Sequence, residues 1–193
     1  MKILCALAVV IFFGATQTSH AQIKVDVTDG GSVITTLSRG IQVNDGSSLK
    51  RSFVTINDLS APITLQQAGV ATVYEGRAYN FIPKGDMTPR EPITAVEVRF
   101  VLFDMFGQLM KTVSLTRVRD FGTDSKPLSE GGWYASEGNV RELLTVASFV
   151  AYVRTASGKV WRYDAKRVGE ELQKLNLRIA AGALEPNKEE RRQ

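Results

Sequence analysis

Cysteine and histidine are almost absent from this chain. Cys5 and His20 are the only examples, and both lie in a segment that reads as removable. Met1-Lys2 is a short positive start, Ile3 to Gly14 is an apolar run, and Thr16 to Ala21 is small and polar. Ser19-His20-Ala21 fits the small-x-small rule for cleavage before Gln22. The expectation is a signal peptide over residues 1–21 and export to a periplasm or the cell exterior. The run falls short of the roughly 20 apolar residues that a membrane span needs, so no transmembrane span is expected after cleavage. Cys5 lies too early for a lipoprotein acylation site.

Cleavage removes the only thiol and the only imidazole. A Ser-His-Asp triad, a Cys-His pair and the usual His/Cys zinc sites are then excluded within one chain. No disulfide can form, so the mature chain of about 170 residues depends on its core, and that length suffices for one sandwich domain with additions. There is no Gly-rich phosphate loop. Asp26, Asp29 and Asp45 are scattered acids without an EF-hand pattern. Ser47-Ser48-Leu49-Lys50 matches an S-x-x-K motif, but its partner motifs are missing. The net charge of +4 is spread over both signs, unlike a nucleic-acid-binding footprint. No catalytic residue, metal or cofactor is expected.

What the chain does have is alternation. Val96, Val98, Phe100 and Leu102 alternate with Glu97, Arg99, Val101 and Phe103, the period-2 pattern of a strand with an apolar face. Asp104-Met105-Phe106-Gly107 reads as a turn, and Leu109 to Val118 as the return strand. Parity leads to the expectation of an even loop, of two or four residues, because Phe100 then faces Val113 and Val98 faces Leu115, with Glu97 and Arg99 opposite Thr116 and Ser114 on the other face. Asp at the start and Gly at the end suit a three-residue loop with a bulge, so local and tertiary signals conflict here. Glu97 is expected on a solvated face, where its truncation costs under about 0.5 kcal/mol.

Phe100-Val101-Leu102-Phe103-Asp104 resembles the F-x-L-Y-D motif of the FxLYD domains, immunoglobulin-like modules of bacterial envelope and secreted proteins. Phe103 stands where that family has Tyr, and Gly107 and Thr112 sit as in its strand–turn–strand. The resemblance covers this hairpin. It implies an immunoglobulin-like fold and brings no catalytic residues.

Residues 22–50 read as an N-terminal arm with short strands, turning at Asp29-Gly30-Gly31 and Asn44-Asp45-Gly46. The sandwich is expected over 51–164. Pro83 to Pro92 and Phe121 to Gly138 read as loops, since Pro is confined to strand ends and edges. Trp133 and Tyr134 on the second loop either cap the core or offer an aromatic contact where sandwiches bind. Ala147 to Asp164 reads as a second hairpin with Ser157-Gly158 as its turn. That pairing sets Arg154 opposite Trp161 and Tyr152 opposite Tyr163, an aromatic-basic face that must be covered or used for binding.

Asp164 can cap a helix. Val168, Leu172, Leu175 and Ile179 form one apolar seam, and Gly182 reads as the stop. A helix is therefore expected over 165–182 and a flexible charged tail over 183–193. Glu170 and Glu171 are expected to be solvated. The seam suits packing on the sandwich, or self-association with the same helix of a second copy.

The sequence thus points to an all-β, immunoglobulin-like antiparallel β-sandwich with a C-terminal α-helix. Its expected role is a non-enzymatic binding or assembly module for a protein or glycan of the cell envelope. Tyr152, Arg154, Trp161, Tyr163, Trp133 and Tyr134 are the candidate binding residues. An envelope glycan hydrolase using carboxylates alone and a strand-exchanging assembly subunit are the alternatives.

Overall fold

A computed structural model describes residues 22–25, 33–42, 50–75, 78–129, 131–135, 137–180, 182–186 and 191–192. Residues 1–21, expected to be a signal peptide, the expected turns at Asp29-Gly30-Gly31 and Asn44-Asp45-Gly46, most of Ser47-Ser48-Leu49-Lys50 and residues 187–190 lie outside them. The chain is mostly β, with two short helices. Its strands are β1 (Gln22–Val25), β2 (Val33–Gln42), β3 (Lys50–Asp58), β4 (Ile63–Glu75), β5 (Ala78–Pro89), β6 (Ile93–Asp104), β7 (Leu109–Phe121), β8 (Lys126–Pro127), β9 (Trp133–Ala135), β10 (Leu143–Thr155), β11 (Val160–Arg162) and β12 (Arg191–Arg192). Helix α1 spans Glu137–Glu142 and α2 spans Ala165–Lys174. Among the described residues no helix is long and apolar enough to cross a membrane.

The main sheet runs β1-β2-β3-β10-β6-β7-β12, with β11 also on β10. The smaller sheet runs β4-β5-β8, with β9 also on β5. Pairings are antiparallel except β3–β10 and β7–β12. The two sheets share one core. Phe53, Val96, Val98, Phe100, Leu102, Val113, Leu115 and Val146 from the main sheet meet Ile63, Leu65, Val70, Phe81, Met87 and Trp133 from the other.

The β6–β7 hairpin resolves the conflict between local and tertiary signals by satisfying both. Phe100 pairs with Val113, Val98 with Leu115, Glu97 with Thr116 and Arg99 with Ser114, as parity requires. Yet the loop has three residues, which corrects the expected even loop. Asp104 N–H bonds the Gln108 carbonyl at 3.0 Å, and Gly107 takes φ +71°, the left-handed region that favours glycine. The extra residue is absorbed at Met110, where the register shifts from Phe103–Leu109 to Leu102–Lys111. A bulge thus restores the faces that an odd loop would mix.

Pro83 lies in a strand and not in a loop. β5 pairs along its whole length with β4, whereas β9 meets it at residues 79–81 and β8 at 86–87. Pro83 falls in the gap between those two, where no ladder bond is asked of it. The stretch from Phe121 to Gly138 likewise carries two short strands, β8 and β9. The outer edge of β4 is closed by side chains. Asn57 bonds both N–H and C=O of Leu65 at 2.8 and 2.9 Å, Thr55 accepts from Ala68 N–H, and Ser148 donates to Ala68 C=O. Such stitching occupies the groups by which an edge strand recruits another chain.

The main sheet is buried on its other face too. Leu37, Val54, Ile56, Val101, Phe103, Ala147, Phe149 and Ala151 form a second cluster under Val168 and Leu172 of α2 and Leu177 and Leu184 beyond it. Asp164 caps α2 by accepting from the backbone of Lys166 and Arg167. The helix stops at Lys174 and not near Gly182. Asn176 takes φ +59°, with Asn176 N–H on Gln173 C=O and Leu177 N–H on Leu172 C=O. That is a Schellman stop with Asn in glycine's place and a Leu172–Leu177 contact across it. Glu171 is buried, against the expectation of a solvated pair. It accepts from Thr35 at 2.8 Å and from Lys174 at 2.7 Å. The helix seam is occupied within the chain.

Candidate functional site

The second hairpin also has a three-residue loop, with Thr155 N–H on Lys159 C=O and Gly158 at φ +87°. No bulge in β11 compensates. Trp161 therefore pairs with Val153, Arg162 with Tyr152 and Val160 with Arg154. This corrects the expected pairing of Arg154 with Trp161 and of Tyr152 with Tyr163. The four residues do not form one face. Trp161 packs at the rim of the core between the sheets and donates its indole N–H to Ser60 at 3.1 Å. Arg154 is exposed. Only Tyr152 and Tyr163 stay together, on the outer face, with ring centroids 6.4 Å apart.

Trp133 and Tyr134 part as well. Trp133 is 1% exposed and sits 5.6 Å from Phe100, centroid to centroid, so it belongs to the core. Tyr134, at 72% exposure, stands opposite Asn80 on the outside of the smaller sheet.

What gathers Tyr152 and Tyr163 is Arg99 of β6, which is 1% exposed on the outer face of the main sheet. Its Nε donates to Glu97 at 2.8 Å. Its Nη1 donates to Glu185 at 2.8 Å and to the Tyr163 hydroxyl at 2.9 Å, with the Leu184 carbonyl at 3.2 Å. The guanidinium carbon lies 5.3 Å from the Tyr152 ring centroid and 5.0 Å from that of Tyr163, within cation–π range. Burial works against the charged form, but the bonds to Glu185 and Glu97 outweigh it, so the guanidinium is held above its ordinary range. Burial pushes the Tyr163 phenol up to about 12 against the opposing field of Arg99. The phenol therefore keeps its proton and donates it to Glu185 at 3.0 Å.

Val101 and Phe103 explain why Arg99, at the centre of so polar a cluster, is buried. They share the face of Glu97 and Arg99 along β6, and α2 with the segment after it covers that face. Thr112 fixes this cover by donating to the Ala183 carbonyl at 2.6 Å. Glu97 is thus a partner of a buried charge, which overturns the expectation of a near-neutral truncation. Glu97→Ala is expected to cost about 1–3 kcal/mol, the penalty for stranding a buried donor. Urea midpoints would check this, and a loss under about 0.5 kcal/mol would mean that the face is wet.

Above the cluster lies a groove of about 570 Å³ between α2 and residues 179–185. Ala165, Gly169, Ile179, Ala180 and Leu184 form its walls, and Tyr163, Glu185, Lys166 and Glu170 its polar groups. Apart from its chain neighbours and the backbone of its own helix, no atom lies within 4 Å of where a Gly169 Cβ would stand. Arg99, Glu97 and Glu185 were not among the candidate binding residues of the sequence. Among the described residues no group of three or more His, Cys, Asp or Glu could hold a metal ion. Compared with protein-family models, with curated proteins and with solved structures, the chain shows no match.

Proposed function

We propose that the protein is an exported, non-enzymatic binding or assembly module of a bacterial periplasm or cell exterior, built on an immunoglobulin-like sandwich. The observation that carries this reading is the groove over Arg99. Its floor charges are bound to each other, since Glu185 is tied to Arg99 and Tyr163. A group that holds a structural cation is poorly placed to shuttle protons, whereas a largely apolar cleft with a few polar groups is the usual form of a recognition site. Two facing sheets around one core support the sandwich, and the hairpin resemblance at Phe100 to Asp104 supports its kind. The three-part N-terminus supports export.

Two measurements on protein from the native host test the reading. Mass spectrometry should find the mature chain starting at Gln22 or within a few residues, and an intact Met1 would refute export. Native mass spectrometry should find a bound species that Gly169→Leu displaces. That side chain would project into the groove while improving helix propensity, so the melting temperature should not fall. A ligand-free wild type, or binding unchanged in the variant, would remove the groove from consideration.

A further inference from the structure

A further concave site lies on the opposite side of the main sheet, between β2, β3, β4 and β5. It is a cleft of about 460 Å³ lined by Thr36, Thr55, Leu65, Gln66, Gln67 and Asp86, within the size range of small-molecule sites. Leu65 and Thr55 are buried at its base. Among the described residues the side chains of Thr36, Gln66, Gln67 and Asp86 make no hydrogen bond or ion pair with the rest of the chain. Four polar groups that the fold does not use thus surround one cleft.

The backbone is distorted to bring them there. Neighbouring residues of a regular strand point to opposite faces, yet Gln66 and Gln67 line the same cleft. A bulge does this, as the β4–β5 register shifts between Gln66 and Gly69. Gln67 takes φ +46°, a left-handed conformation that side chains adopt at a cost. Gly85 opposite the bulge has no room for a side chain, since a Cβ there would lie 2.6 Å from the Gln66 carbonyl oxygen and 2.7 Å from that of Gln67. The bonds of Ala68 to Thr55 and Ser148 pin the far side of the bulge. Bulges re-aim side chains and are over-represented next to functional sites.

The chemistry of the four groups narrows the ligand. The Thr hydroxyl and both Gln amides each donate and accept, and Asp86 accepts. Every hydroxyl of a sugar also donates and accepts. No cationic side chain lines the cleft, which disfavours phosphate and carboxylate ligands. We propose that this cleft is a binding site for a neutral carbohydrate, a short oligosaccharide, independent of the groove over Arg99.

The test titrates the intact mature protein with neutral cello-, malto-, laminari- and chito-oligosaccharides at up to millimolar concentration. Binding is followed by NMR of the Gln side-chain amides and by calorimetry. At least one oligosaccharide should bind and shift these amides. Gln66→Ala and Gln67→Gly should each weaken binding by about tenfold, the upper end for one neutral hydrogen bond. Gln67→Gly should leave the melting temperature unchanged or raise it, because it relieves the left-handed φ, so lost binding cannot be put down to lost folding. Spermidine and inorganic phosphate should not bind at the cleft. The proposal fails if no oligosaccharide of the panel binds, if binding survives both substitutions, or if spermidine and not a sugar shifts the amides.

Discussion

Phe100→Ala is expected to destabilise the protein by about 3–5 kcal/mol. Phe100 is 0% exposed in the core between the sheets, with Val113 beside it on β7 and Ser148 on β10. Truncation removes a whole ring from a site whose neighbours are strands of two sheets, so the surroundings cannot collapse to refill it. It also ends the tilted contact with Trp133, a pair worth about 0.5–1.5 kcal/mol beyond area alone. Phe106→Ala is the control. Phe106 sits at the tip of the same hairpin at 78% exposure, and its loss should fall within about 0.5 kcal/mol. Guanidinium midpoints at constant slope would compare the two. Equal midpoints would place Phe100 off the inner face and undo the β6–β7 register.

That register was legible because the two faces of the hairpin differ. Val98, Phe100, Val113 and Leu115 cannot be slipped by one residue without losing the core. The three-residue loop was signalled by Asp104 and Gly107, but the even loop expected from parity was preferred to that signal and was wrong. Only the bulge at Met110, which lets both hold, left no mark in the residues themselves. The second hairpin carried the same loop signal in Gly158. There the faces could not arbitrate, because β10 is buried on both sides: Val150 and Val153 line one core and Phe149 and Ala151 the other. A strand apolar on both faces tolerates either parity, so the expected Arg154–Trp161 pair was off by one.

The Arg99 cluster was hidden for a different reason. Glu97 and Arg99 were assigned to solvent because they are charged, although Val101 and Phe103 follow on the same face. Two large apolar residues in that row were the available sign that something covers it. The rest was out of reach of local pattern, since Glu185 lies 86 residues from Arg99 along the chain. Nor does a strand pattern show a bulge such as Gln66-Gln67, because its cause is a neighbouring strand and not its own sequence.

Truncating the chain after Asp164 should abolish cooperative folding. Val168, Leu172, Leu177 and Leu184 are all buried in the second cluster. Each such side chain is worth about 1.5–3 kcal/mol of burial, so together they rival the whole stability of about 5–15 kcal/mol of a typical domain. The polar losses point the same way. Arg99 would keep Glu97 but lose Glu185 and the Leu184 carbonyl. Thr35 would lose Glu171, and Thr112 the Ala183 carbonyl. A buried cation deprived of its partners is among the costlier defects a core can hold. The truncated protein should therefore bind a hydrophobic dye and unfold without a sharp transition. A lesser cut, Glu185→Ala, removes one half-exposed carboxylate and should leave the transition cooperative. If the truncated chain instead melts sharply at the wild-type temperature and binds no dye, the outer face of the main sheet is not a second core, and Arg99 is not held by the C-terminal segment.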